Sequence, residues 1–395
     1  MSQATTSAVV LPIEGRQQVW TAVEALSVPW TLWLTVSGVA VIMLGGIWDF
    51  AWHMSIGRDS LWVPPHVTVQ LGAILVAITC VAVILATTVD NSSPARDTSI
   101  AILGVRAPAG AFIALWGSVA MFASEPFDNW WHNAFGLDVK LITPPHSLLF
   151  LGSFAVKIGA MAWIGSTMGR STDALRERLS WLFLFVGAVG VMQFSNAIVG
   201  STRAANMHTA ACYLVTGFFV PPILVAGGWG AVHKWGCTIA AAIYTFMGLG
   251  FEWLLPLIPA QPKLGPVYHT VTHLIPMRFP LLLIIPAIVV DLLLQHRQTQ
   301  SAWTKAAYVG PAFLLSFLAV QWPFANFLLS PASRNWIFGT AYFAYSDPAG
   351  ILFDPYKFEP AGKAFLPMIA IAFLISIVAT RLGLGLGNWM RRVQR

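Results

Sequence analysis

This sequence is poor in charge: Asp, Glu, Lys and Arg make up 10% of its 395 residues, where a soluble domain carries about 25%. That shortage excludes an ordinary water-soluble globule. Cysteine is scarce as well, with 3 residues in all. Cys80, Cys212 and Cys237 stand isolated in apolar stretches, so neither a Cys-x-x-Cys metal site nor a disulfide framework can be drawn. Any metal must be held by nitrogen and oxygen. Despite a net charge of +6 and a pI near 9.4, no basic run or basic stripe interleaved with aromatics is present, and nucleic acid is excluded as a partner. No haem or flavin motif is apparent. Residues 1–28 lack a short apolar core followed by a small-residue cleavage site, and read as a cytoplasmic N-terminal segment rather than a cleaved signal peptide.

Apolar sequence is what the chain has in abundance, at 57% hydrophobic residues and a mean hydropathy of +0.70. Crossing about 30 Å of hydrocarbon takes roughly 20 helical residues. Runs of that kind fall near 29–51, 65–89, 109–131, 144–168, 180–200, 207–230, 236–257, 276–295, 306–330 and 364–386. The expected fold is all-α: a polytopic membrane helical bundle of about ten transmembrane helices arranged as sequential hairpins. Glu252 and Pro256 interrupt the seventh run, and Pro311 and Pro323 the ninth. Lys and Arg collect in the connections that share a side with both termini, which predicts cytoplasmic termini. Residues 29–170 form a unit of two hairpins, and 171–395 hold further helices with a long outer loop near 331–363 that contains Tyr342, Phe343, Tyr345 and Tyr356.

The most informative feature is a repeated constellation. Trp48-Asp49-Phe50-Ala51-Trp52-His53 is followed by Pro64-Pro65-His66, and Phe127-Asp128-Asn129-Trp130-Trp131-His132 by Pro144-Pro145-His146. In each copy a carboxylate and a histidine stand four residues apart near the end of one span, on one helix face. The second histidine comes twelve intervening residues later in the first copy and thirteen later in the second. Paired prolines belong in the first turn of a helix and fix where the return helix begins. A tight return then brings Asp49, His53 and His66 together, and likewise Asp128, His132 and His146. Two imidazoles and one carboxylate leave coordination positions open and suit copper, iron, nickel or zinc better than magnesium or calcium. The competing reading is a pair of surface ion pairs with an aromatic belt of tryptophans. That reading does not require the third histidine or its repeated spacing.

On these residues the chain resembles the C-type membrane subunit of the particulate methane and ammonia monooxygenases, the copper membrane monooxygenase family. Asp49, His53 and His66 reproduce the spacing of its first metal site, and Trp52-His53-Met54, Arg58-Asp59 and Pro64 agree as well. Asp128, His132 and His146 match the spacing of a second family site, with Asp standing where the family has Asn. The resemblance covers residues 45–155. It implies copper, with iron or zinc as weaker alternatives, a catalytic role for Asp49, His53 and His66, partner subunits of a monooxygenase, and an external electron donor such as quinol.

Fainter copies of the geometry occur at Asn196 with His208 and at Glu252 with His269 and His273; hydrogen-bonded polar residues at helix ends are the simpler account of them. Arg58, Asp59, Asp138 and Lys140 are candidates for orienting the ligands, or form solvated pairs. Three functions fit these observations. One is a copper-dependent monooxygenase, or a subunit of one, oxidising a small apolar substrate with dioxygen. Another is a transition-metal transporter or metal-handling membrane protein, although copper(I) traffic favours thiolate or thioether ligands and only Met54 adjoins a triad. The third is a structural subunit stapled by metal.

Overall fold

The computed structural model describes residues 27–57, 61–93, 96, 99–136, 143–202, 209–263, 270–276, 278–344 and 365–393. Among these lie ten α-helices: α1 (Trp30–Ser55), α2 (Pro64–Val89), α3 (Ala109–Phe135), α4 (Pro144–Met168), α5 (Asp173–Thr202), α6 (Ala210–Gly230), α7 (Gly236–Leu254), α8 (Ile284–His296), α9 (Ala302–Leu328) and α10 (Phe365–Val393). Nine are long and apolar enough to cross a membrane, and the chain is an all-α polytopic membrane bundle. The eighth expected span is shorter than the sequence suggests. Helix α8 has 13 residues, about 20 Å at the α-helical rise, because the chain before it, through Pro280, is not helical. Helix α9 runs through both Pro311 and Pro323, whereas α7 gives way to a 3₁₀ turn at Leu255–Leu257, around Pro256.

Lipid exposure is written along the helices. On α2, Leu71, Ile78 and Leu85 are exposed, while Val69, Val76, Cys80 and Val83 are buried. The exposed residues recur every seven positions, one stripe of a helix. In water such stripes would be a liability; in a bilayer they are the required surface.

Two of the tightest helix pairs are α1 with α2 and α3 with α4, and glycine explains why. A Cβ on Gly72 would lie 2.7 Å from the Ile42 nitrogen and 2.8 Å from the Gly38 carbonyl oxygen. In the second hairpin the contact is reciprocal: a Cβ on Gly117 would stand 2.6 Å from the Gly152 carbonyl oxygen, and one on Gly152 2.7 Å from that of Gly117. Lipid supplies no hydrophobic drive for helix association, so small residues that let backbones touch take that role. An extensive long-range pairing joins α10 to α6, with Gly383 packed on the Pro221 and Pro222 carbonyls.

Two ionisable groups within the spans, Lys157 and Asp291, are satisfied by neighbouring polar groups. Lys157 Nζ donates to Ser153 O at 3.1 Å and Ser153 Oγ at 2.7 Å, and Ser153 Oγ donates to Gln193 Oε1 at 3.3 Å, linking α4 to α5. Asp291 of α8 caps the start of α7, accepting from Cys237 N at 3.2 Å and from Thr238 N at 2.8 Å. Between α2 and α3 the chain forms a two-stranded antiparallel hairpin, Ser99–Ile102 with Val105–Pro108, which the hydropathy pattern does not announce. Its turn, Leu103-Gly104, has positive φ at both residues.

Replacing Gly117 by Val is expected to destabilise the protein by about 1–3 kcal/mol, since the bulk meets backbone rather than a movable side chain. Gly46, with nothing within 4 Å of a built Cβ, is the control. Gly46→Ala should hold or raise the unfolding midpoint in detergent, and a Gly117→Val protein that melts with the wild type would refute the close-contact account.

Candidate metal centre

Asp49 and His53 lie one helical turn apart at the end of α1, and His66 sits in the first turn of α2, right after Pro64 and Pro65 at its first two positions. Val63 precedes them in extended conformation, as a residue before proline prefers. The return helix therefore starts with His66 aimed back at α1. His66 Nε2 lies 3.2 Å and His53 Nε2 3.7 Å from the same oxygen, Asp49 Oδ1. One ligand atom from each of Asp49, His53 and His66 lies within 4.8 Å of the others, and among the described residues this is the group of three metal-ligating side chains that closes so tightly.

The second hairpin is built alike. Thr143 caps α4, its side chain accepting from His146 N at 3.3 Å, and Pro144 and Pro145 again occupy the first turn. His132 Nε2 stands 3.2 Å from Asp128 Oδ2, and His146 Nε2 3.5 Å from Asp128 Oδ1. The two imidazoles take different oxygens of the carboxylate, so this trio is more open than the first. Pro126, inside α3, interrupts the helical hydrogen-bond ladder just before Asp128.

These distances are longer than those of hydrogen-bonded ion pairs and compatible with a metal cage. A charge-assisted N–H to carboxylate hydrogen bond is about 2.7–2.9 Å long. Two donors each about 2.1 Å from one tetrahedral metal stand about 3.4 Å apart. The four His–Asp separations, 3.2 to 3.7 Å, fall around the second value. Asp49 Oδ1 and Asp128 Oδ1 are moreover buried and accept no hydrogen bond. A buried carboxylate oxygen in that state is costly unless a cation completes it.

The spacing argument misses Glu125. Its Oε2 lies 3.7 Å from His66 Nδ1, and its Oε1 accepts from Gln70 Nε2 at 3.0 Å. Glu125 of α3 thus faces the side of His66 opposite to Asp49. It also lies within electrostatic range of both Asp49 and Asp128. At 3.7 Å the contact is electrostatic rather than a hydrogen bond; a metal on Nε2 would strengthen it by making the ring more acidic on the Nδ1 side that faces Glu125. The signal was present in the sequence as Glu125 three residues before Asp128, on the same helix face, with Gln70 one turn after His66.

Arg58, Asp59, Asp138, Lys140, His208, His269, Tyr345 and Tyr356 lie outside the described residues. His273 stacks on Tyr342 with ring centroids 3.8 Å apart and pairs with Thr272 Oγ1 at 2.9 Å. Met54 is buried in an apolar cluster with Val271 and Ile275, so its thioether is engaged in packing.

Comparison with protein-family models, with curated proteins and with solved structures gives no match. Fold and site together define a multi-pass α-helical membrane protein with an Asp/His/His group suited to a metal ion.

Glu125→Ala is expected to weaken metal binding at the first group by about 10- to 100-fold, the usual effect of losing a carboxylate behind a ligand histidine. Competition titration with a chelator reads this directly, and an unchanged affinity would reduce Glu125 to a space-filling role.

Proposed function

We propose that this chain is a copper-binding integral membrane protein, and that it works as a copper-dependent monooxygenase or as a subunit of one, oxidising a small apolar substrate with dioxygen. The observation that carries this reading is the convergence of Asp49, His53 and His66 within 4.8 Å, with fewer protein ligands than copper accepts. The resemblance of residues 45–155 to the C-type membrane subunit of the particulate methane and ammonia monooxygenases supports copper over iron or zinc. Copper would supply the redox chemistry with dioxygen.

The chain's own residues do the rest. Asp49, His53 and His66 would hold the ion, and Asp128, His132 and His146 a second one. Glu125 would keep the His66 ring oriented. Trp48 and Trp52, edge to face at 6.5 Å, lie on the same last turns of α1 as Asp49 and His53. Electrons would come from an external donor such as quinol, and partner subunits would complete the enzyme. The proposed setting is the bacterial inner membrane, with both termini cytoplasmic, as the distribution of Lys and Arg suggests. A thiol-based copper relay fits less well, because Cys80, Cys212 and Cys237 are all buried and none belongs to either trio.

Metal content by mass spectrometry, with electron paramagnetic resonance, tests the proposal on the purified protein. His53→Ala and His132→Ala should each remove a separate fraction of bound copper with its own signal, while folding persists. A wild type that binds no copper, iron or zinc after reconstitution would sink it. If either substitution abolishes folding together with metal, the ion is a helix staple.

A further inference from the structure

Asn196, near the end of α5, and Glu252, near the end of α7, meet in one place. They line a cavity of about 20 Å³ together with Ser195, Tyr244, Arg278 and Ile47. Holding a water takes roughly 10–15 Å³ of such volume and two to four polar partners. Both conditions are met here.

Two oxygens of the residues lining this cavity lack what buried oxygens need. Glu252 is 2% exposed, and its Oε2 has no hydrogen-bond partner. Ser195, 1% exposed, has its Oγ beside the Tyr244 hydroxyl but without a hydrogen bond of ordinary length and angle. Leaving such atoms unpaired inside a membrane bundle is costly. Glu252 also accepts from the Arg278 backbone N–H and interacts with its guanidinium. Tyr244 accepts from Leu281 N at 2.8 Å, which leaves its own O–H to point inward. Gly339, at φ 70°, packs directly on Glu252 Oε2, and a side chain there would collide with it. The chain after α9 thus closes the cavity on that side.

We propose that Glu252 and Ser195 hold a single internal water in this cavity, and that this water stays on the Glu252 carboxylate as it takes up a proton from bulk solvent on acidification. The groups facing Glu252 are few. Helix α1 contributes Ile47, α5 contributes Ser195 and Asn196, α7 contributes Tyr244, and the segment before α8 contributes Arg278, the one charged partner among the described lining residues. A bound metal cation would have to sit beside the Arg278 guanidinium, which is why water is the occupant. The site shares no residue with the two Asp/His/His groups and does not depend on their holding copper.

Infrared difference spectroscopy of the full chain in lipid nanodiscs, titrated with pH, tests the assignment. The wild type should show a carboxylic C=O band that appears on acidification, disappears in Glu252→Gln and moves in frequency in Ser195→Ala, with copper content equal in all three. Absence of a wild-type band that Glu252→Gln removes would overturn the protonation of Glu252. A band unmoved in Ser195→Ala would overturn the shared water. A sodium-dependent rise in melting temperature, lost in Glu252→Gln, would overturn both in favour of a cation. Should Glu252→Gln fail to fold, the frequency shift in Ser195→Ala still decides.

Discussion

Backbone-to-backbone contact at glycine is the constraint on which the metal groups depend. His66 is useful only if α2 starts within a few ångströms of the last turn of α1, and Gly38, Gly45 and Gly72 allow that approach. Both return helices carry the same local design: two prolines, the histidine, and six residues later a glycine, Gly72 or Gly152, pressed on the partner backbone. The prolines set where the helix begins and the glycine sets how close it lies. With both fixed, the direction of the histidine follows from helix geometry.

Electrostatics then separates these groups from the other ionisable residues of the bundle. Lys157 is answered by serine oxygens, and Asp291 by the amides at the start of α7. Each is a polar group paired by its neighbours, as a low-dielectric interior demands. Asp49, Glu125 and Asp128 form instead a set of three interacting carboxylates, two of them with a buried oxygen that accepts no hydrogen bond. Like charges gathered in that way call for cations, and imidazoles at ligand-like separation provide the remaining donors.

The two hairpins are nevertheless not equivalent. In the first, both histidines address one oxygen of Asp49; in the second they divide between the two oxygens of Asp128. The end of the first is also tied to a distant segment, where Ile275 N donates to Ser55 Oγ at 2.7 Å and Lys263 N to Ile56 O at 2.9 Å. Chain from the α7–α8 connection thus closes over the end of α1 and holds its last turn, where His53 lies.

The all-α membrane fold, the start of each return helix and the two Asp/His/His trios were legible in the residues alone, because hydropathy, proline placement and the four-residue spacing are local properties of a helix. What joins distant segments was not. Glu125 became a neighbour of His66 only when α3 packed on α2, Asn196 and Glu252 came to share a cavity only when α5 met α7, and His273 came to stack on Tyr342 only when the chain after α9 met the α7–α8 connection. Periodicity determines which face of a helix a side chain occupies; which other helix that face meets is decided by packing of the whole bundle, and no local pattern encodes it.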